Sequence, residues 1–385
     1  MKVLFVASDN DPTSGAFLSM IKLNVLLRDI YSVETKIVLP CVGEGKNLLD
    51  ENNLPYVLIP SKDWVVEHWR LKNKPKAFLR NIRDRFQDLK SISKIAALIA
   101  ADHYDIVHIN TAYAYVGAVA ARRENVPVVW HIREMLEEDQ HRSIYNRKRG
   151  YRFIAKSDCV IAISSAVYKK YKKWMPDANM VRIFNGIDIN KFYNPRKEIL
   201  KDPNRITFIY GGGYPREKGV YELADAFQLL VNRGMNDFSI LMLGIVENEY
   251  MDYLKKTELL PFIQFLGYQK NVEDWYEKAD VAFSCSFMEA FGRKTVEAML
   301  CGCLMIASNT GGSLDIIDDG KTGLLYQQGS AVSLADRIQW AVKHIEEARN
   351  IAACGRDYAR DHFSAEENAK NVYSIYKKIV RKNRG

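Results

Sequence analysis

The chain predicts two doubly wound α/β domains facing a cleft, and three observations carry that reading. Its 385 residues exceed what a single core comfortably sustains and suit two domains of about two hundred residues each. In both halves, short apolar runs of strand length alternate with helical stripes, the pattern of parallel sheets covered by helices on both faces. In both halves, too, a glycine-bearing turn follows the first strand, where open α/β sheets hold ligands.

In chain order, residues 2–7 read as a buried first strand and 8–15 as its loop. A helical stripe of Leu18, Ile21, Leu23, Val25 and Leu26 follows. A dinucleotide fingerprint would need three glycines at this turn. Gly15 stands there with Ser14 before it, so nicotinamide binding is not expected. Residues 36–40 and 56–60 are further strands, 62–101 a basic amphipathic stretch, and 104–110 a strand with a polar end. The next βα unit ends in Trp130-His131-Ile132-Arg133-Glu134, which puts His131 at the carboxyl end of a strand. Position alone leaves a packed core histidine and a ligand-facing one equally open. Residues 157–165 form another buried strand, Asn185-Gly186-Ile187-Asp188 a turn, and 194–204, with two prolines and many charges, a linker.

The second half opens on a strand at 205–210. It runs into Gly211-Gly212-Gly213-Tyr214-Pro215-Arg216-Glu217-Lys218-Gly219 and a helix bearing Leu223, Ala226, Phe227 and Leu230. Backbone N–H groups and a lysine converging on an anion make this a phosphate cradle. It lacks the Gly-Lys-Ser/Thr ending of a P-loop. Strands follow at 239–243, 263–267, 279–283 and 304–308, and helices at 334–348 and 366–380. Between the last two strands lies Glu289-Ala290-Phe291-Gly292, then a helix whose face carries Val296, Met299 and Leu300. Gly292 allows close approach of a ligand, and the helix start behind it suits a phosphate. Glu289 before the helix and Glu297 within it are carboxylates suited to sugar hydroxyls. A solvated helix face would explain the bare spacing of the two; the longer pattern around them is more specific.

Composition limits the function classes. The apolar fraction is that of a globular protein, and no apolar run reaches membrane-span length. The N-terminus is too short for a signal peptide, and the six cysteines show no paired framework, so a reducing cytoplasm is expected. Cys301-Gly302-Cys303 reads as packing, not as a metal site. The net charge is +8, with ten Lys or Arg against four Asp or Glu in 62–94, among Trp64, Trp69, Phe78 and Phe86. Arg142, Arg147, Lys148, Arg149 and Arg152, and four lysines at 169–173 beside Trp174, add to this half. The two stretches, 62–94 and 142–174, could face anionic lipid, giving peripheral attachment to the inner face of the cell membrane, or a phosphorylated acceptor. Solvated helix faces with snorkelling stems explain part of the charge. No nucleic-acid module is visible.

The combination Glu-x-Phe-Gly-x-x-x-x-Glu-Ala-Met at 289–299, after an apolar strand, resembles the signature of retaining glycosyltransferases of family four, which have the GT-B fold. The resemblance spans nearly the whole chain and is strongest over 206–325. It implies transfer of a sugar from a nucleotide diphosphate, a UDP- or GDP-sugar, to a hydroxyl of a glycan or lipid-linked acceptor in cell-surface polysaccharide synthesis. On this resemblance Lys218, with Arg293 or Arg216 and the helix start at Phe291 and Gly292, stabilises the leaving diphosphate, and neither metal nor cofactor is needed. Glu297 holds the ribose, Glu289 the transferring sugar, Tyr268 and Gln269 the base, and His131 approaches from the other domain. Gly15 matches the second glycine of a loop near the diphosphate and acceptor.

Three positions depart from the pattern or adapt it. Ser14 replaces the usual first glycine, Asn110 a frequent histidine, and Gly213 stands where the diphosphate-binding arginine commonly lies. Residues 309–312 resemble the loop beneath the donor, and 319–325 the closing turn. The implied organisation is an acceptor-side domain at 1–190, a linker at 191–205, a nucleotide-sugar domain at 206–360 and a returning helix at 361–385. A sugar-nucleotide epimerase or phosphorylase on a similar scaffold is one alternative. A non-catalytic nucleotide-sugar-binding relative is another.

Overall fold

The computed structural model describes residues 1–67, 74–198, 200 and 205–384; the side chains of 74–85 and 384 lie outside that description. Trp69 and the side chain of Phe78 therefore fall outside the described residues, as do 199 and 201–204 of the expected linker. The chain divides into two compact units, Met1–Gly186 with Ala365–Gly385, and Ile187–Ser364.

The strands of the first unit are β1 (Lys2–Val6), β2 (Glu34–Leu39), β3 (Tyr56–Leu58), β4 (Val65–Glu67), β5 (Ile106–Ile109), β6 (Val128–Ile132), β7 (Arg142–Ile144), β8 (Cys159–Ala162) and β9 (Met180–Arg182). Seven of them form a parallel sheet in the order β3-β2-β1-β5-β6-β8-β9. Its central members β5, β6 and β8 are buried at every position, as a sheet covered on both faces requires. β4 and β7 pair antiparallel outside it, with Val65 opposite Ile144.

The second unit repeats the plan with β10 (Ile206–Gly211), β11 (Phe238–Leu243), β12 (Ile263–Gly267), β13 (Val281–Ser284), β14 (Leu304–Ser308) and β15 (Leu324–Tyr326). They form a parallel sheet in the order β12-β11-β10-β13-β14-β15. In each unit the chain winds outward in one direction from the first strand and then reverses, the doubly wound Rossmann-like topology. The reversals fall between β1 and β5, and between β10 and β13.

The helix Ala365–Arg384 belongs to the first unit. Ala365, Ala369, Val372, Tyr376 and Ile379 recur at alternating spacings of four and three, one helical face, and are buried with Phe17 and Met20 of the helix Gly15–Tyr31. Tyr31 and Tyr373 stack at 4.2 Å. Within the second unit, the segment after Ile187 is tied down by Tyr193, which donates to Asp357 Oδ1 at 3.1 Å, and by Lys197 Nζ, which donates to the carbonyls of Tyr276 and Ala279.

Among the described residues no helix is long and apolar enough to cross a membrane. The basic segments are partly neutralised locally. Lys170 Nζ lies 2.5 Å from Glu137 and pairs with Glu138, Arg147 pairs with Glu137, and Arg142 with Glu67. Trp64 turns inward, stacking on Tyr115 and donating its indole N–H to the Ala112 carbonyl, while Phe86 stays exposed.

Candidate active site

In the second unit the crevice outside the carboxyl ends of β10 and β13 is where a doubly wound sheet holds a ligand. Three loops meet there. Residues 212–219 leave β10, and Tyr210 folds its phenol back to donate to the Gly213 carbonyl at 2.7 Å. Gly219 has φ +69°, and a Cβ there would lie 2.0 Å from the Cys285 carbonyl oxygen, so only glycine lets the first loop seat against the second. The Phe287 N–H donates to the Glu217 carbonyl at 2.9 Å and closes that seam. From β14, the Gly312 N–H donates to the Glu289 carbonyl at 2.8 Å. Ser308 and Thr310 hydroxyls both donate to the Ser286 carbonyl.

This frame brings Lys218 and Glu289 together, with Nζ 3.7 Å from Oε2 and both side chains about one quarter exposed, at 29% and 25%. Ser286 Oγ donates to the same carboxylate oxygen at 3.2 Å. The helix Arg293–Leu300 begins behind Gly292 with no side-chain cap and no acidic residue in its first turn. Arg293 and Lys294 stand there instead, where the helix dipole disfavours cations, an imbalance that an anion at this turn would relieve. Arg293 Nη2 lies 3.2 Å from Glu297 Oε1, and Glu297 is buried. Lys294 has exposed surface, yet the protein crowding its ammonium lowers its pKa; Glu297 and Glu289 oppose that shift and Lys218 adds to it. Cations and backbone donors for an anion thus adjoin carboxylates suited to hydroxyls.

In the first unit, His131 is fully buried at the end of β6 within a polar network. Its Nδ1 is 3.3 Å from His108 Nε2 and 3.2 Å from Arg133 Nη2. Arg133 also donates to Asn110 Oδ1 at 2.9 Å and Asn185 Oδ1 at 2.5 Å. Tyr376 reaches His108 Nδ1 at 2.6 Å. Burial, then the Arg133 charge, hold both histidines well below their ordinary pKa. Burial pushes the neighbouring Glu134 carboxyl up to about 7, although the Ala112 and Arg133 N–H groups donate to it.

Residues 193–358 match the profile described as glycosyl transferases group 1, and residues 46–191 that of glycosyltransferase family 4. The chain belongs to the family-four glycosyltransferases. It is similar to the capsular polysaccharide biosynthesis glycosyltransferase CapM of Staphylococcus aureus, 24% identical over 321 residues, covering 78% of this chain and 83% of that one. It is also similar to the N-acetyl-alpha-D-glucosaminyl L-malate synthase of Bacillus anthracis, 25% identical over 310 residues, covering 76% and 80%. The structure of Anabaena HepE in complex with UDP and glucose superposes with a TM-score of 0.78 at 22% identity, covering 98% and 100% of the two chains. The sucrose-phosphate synthase of Thermosynechococcus elongatus gives 0.79 at 18% identity, covering 99% and 100%. At such identities the likeness establishes the fold, which is GT-B, two Rossmann-like domains.

Within this glycosyltransferase, the residues singled out by sequence do not all gather. Lys218 and Glu289 do, and Arg293 reaches Glu297. Arg216 instead pairs with Glu249 at 2.9 Å and lies over the Tyr221 ring. A Cβ added at Gly213 would meet Pro215 Cδ at 3.2 Å, a tight contact, and no other described atom within 4 Å. Phe291 is buried and edge-on to Phe363. In the loop after β12, Tyr268 is exposed and Gln269 donates to the Leu266 carbonyl. Gly15 opens the first long helix, which Ser14 caps by accepting from the Phe17 N–H.

Four contributors escaped sequence reasoning: Ser286, Lys294, and the roles of Arg133 and Tyr376. The two basic residues on an uncapped first turn were the signal available for Lys294. For Ser286 the signal was its place three residues before Glu289 in the same loop; for Arg133 and Tyr376 no local pattern exists, because Asn110, Asn185 and His108 are distant in the chain.

Proposed function

We propose that this glycosyltransferase moves a sugar from a nucleotide diphosphate, a UDP- or GDP-sugar, to a hydroxyl of a glycan or lipid-linked acceptor of cell-surface polysaccharide, with retention at the anomeric carbon. The observation that carries this reading is the Lys218–Glu289 pair beside the first turn bearing Arg293 and Lys294. Lys218 and Arg293 stabilise the diphosphate as charge develops on it, with preorganised donors instead of a metal. Glu289 takes the hydroxyls of the transferring sugar, Glu297 the ribose, and the loop of Tyr268 and Gln269 the base. The family resemblance supports a role for His131 on the sugar. The uses named for similar proteins, capsular polysaccharide biosynthesis for CapM and a UDP and glucose complex for HepE, favour this donor and acceptor class. Cytoplasmic action at an anionic membrane face is part of the proposal, carried by the basic surface and the exposed Phe86.

The test is a thermal-shift panel of nucleotide diphosphates and nucleotide sugars, with and without EDTA, since a ligand of the folded state raises its melting temperature. A shift with one base series that survives EDTA supports the metal-independent donor site and identifies the base. No shift with any nucleotide, in folded protein, overturns the proposal in favour of a non-catalytic relative.

A further inference from the structure

The buried network of the first unit contains a directional chain of hydrogen bonds that determines which nitrogen of His131 carries the proton. A guanidinium only donates. Because Arg133 Nη2 lies 3.2 Å from His131 Nδ1, that nitrogen must be an acceptor. A neutral His131 then has its proton on Nε2. His108 Nε2 faces the same Nδ1 at 3.3 Å, so it too must donate, and two bare lone pairs in contact are avoided. His108 is then left with a bare Nδ1, which accepts the Tyr376 hydroxyl at 2.6 Å. Every link has one consistent direction, from Tyr376 through His108 to His131. At its far end His131 Nε2, which is buried, has no hydrogen-bond partner among the described residues. A buried N–H without a partner costs free energy that a ligand oxygen would recover.

From this geometry we infer that Tyr376 and His108, with Arg133, are positioning residues that lock His131 as a neutral Nε2–H donor to a ligand oxygen, excluding it as a general base. The returning helix Ala365–Arg384 thereby contributes through Tyr376 to the chemistry of the first unit, beyond packing on it. The activity arm below rests on the glycosyltransferase reading, whereas the tautomer arm does not.

The experiment is long-range 1H–15N correlation spectroscopy of histidine-labelled full-length protein at pH 7, with His131→Gln and His108→Gln identifying the two rings. We expect both rings neutral, protonated on Nε2 and bare at Nδ1. In Tyr376→Phe the His108 ring should shift toward the other tautomer while the protein stays folded, and transfer should fall about tenfold through kcat with KM for the donor unchanged. In Tyr376→Phe with Arg133→Met, His131 itself should lose its single tautomer. A His131 ring protonated on Nδ1, or a cationic ring, overturns the inference whether or not any nucleotide binds. So does a Tyr376→Phe spectrum identical to the wild type. Intact tautomers in a protein that binds no nucleotide would sink the proposed function and leave the lock standing.

Discussion

Gly311→Ala tests how tightly Glu289 is held. Gly311 has φ +56°, and an added Cβ would lie 2.3 Å from the Glu289 carbonyl oxygen and 2.8 Å from its nitrogen. Gly234, in the turn after the helix Val220–Asn232, is the control, since it too has positive φ, +88°, but no described atom lies within 4 Å of an added Cβ. Both substitutions carry the left-handed backbone cost of about 1–2 kcal/mol. Gly311→Ala must also displace the Glu289 backbone, about 1–3 kcal/mol by analogy with overpacking. It strains the Gly312–Glu289 hydrogen bond as well, about 1 kcal/mol more. At roughly 3 °C per kcal/mol for a unit of this size, Gly234→Ala should melt about 3–6 °C below wild type and Gly311→Ala about 10–15 °C below it. Circular-dichroism melts measure both, and a transfer assay at a temperature where each is folded should show loss only in Gly311→Ala. Equal melting losses, or full transfer by Gly311→Ala, would refute the view that this glycine sets the carboxylate.

The remaining predictions concern charge. Lys218→Ala and Glu289→Ala should each lower transfer by at least about a hundredfold, while the melting temperature barely moves, because so exposed a pair contributes at most about 1 kcal/mol; an active variant of either kind removes the site assignment. Gly213→Arg, placed where the family commonly has its arginine, should tighten nucleotide-diphosphate binding several-fold once Pro215 Cδ yields a few tenths of an ångström, and weaker binding in calorimetry would count against that placement. Burial lifts the Glu134 carboxyl from its ordinary 4.5 to about 7. The folded state therefore keeps a proton that the unfolded chain releases, and this stabilisation, full below about pH 4.5, is lost as pH rises toward 7, by on the order of 3 kcal/mol. Denaturant titrations of Glu134→Gln should lack that component, and parallel pH curves for variant and wild type would disprove it. Anionic vesicles should bind the protein weakly and release it as salt screens the basic surface; indifference to lipid charge would return that surface to being a solvated face.

The alternation of buried runs and helical stripes determined the two Rossmann-like domains by itself. A strand covered on both faces must be apolar over most of its length, as 159–163 and 304–307 are, and that demand is local. The glycine-rich turn at 211–219 and the helix start behind Gly292 were legible for the same reason, since a glycine turn and an uncapped helix start are written in a few consecutive residues. What the tertiary structure alone decided are the pairings between distant segments. Local sequence did not show that Arg216 would turn to Glu249, that Trp64 would fold inward while β4 pairs with β7, or that Tyr376 would reach His108. These contacts depend on strand order, and strand order is set by the burial of whole elements against one another. Arg133 shows the difference most plainly. In the sequence it is one arginine beside a histidine; in the fold its guanidinium joins Asn110, Asn185 and His131, three neutral acceptors from separate parts of the chain. A buried cation can donate but never accept, and that physical fact gives His131 its tautomer.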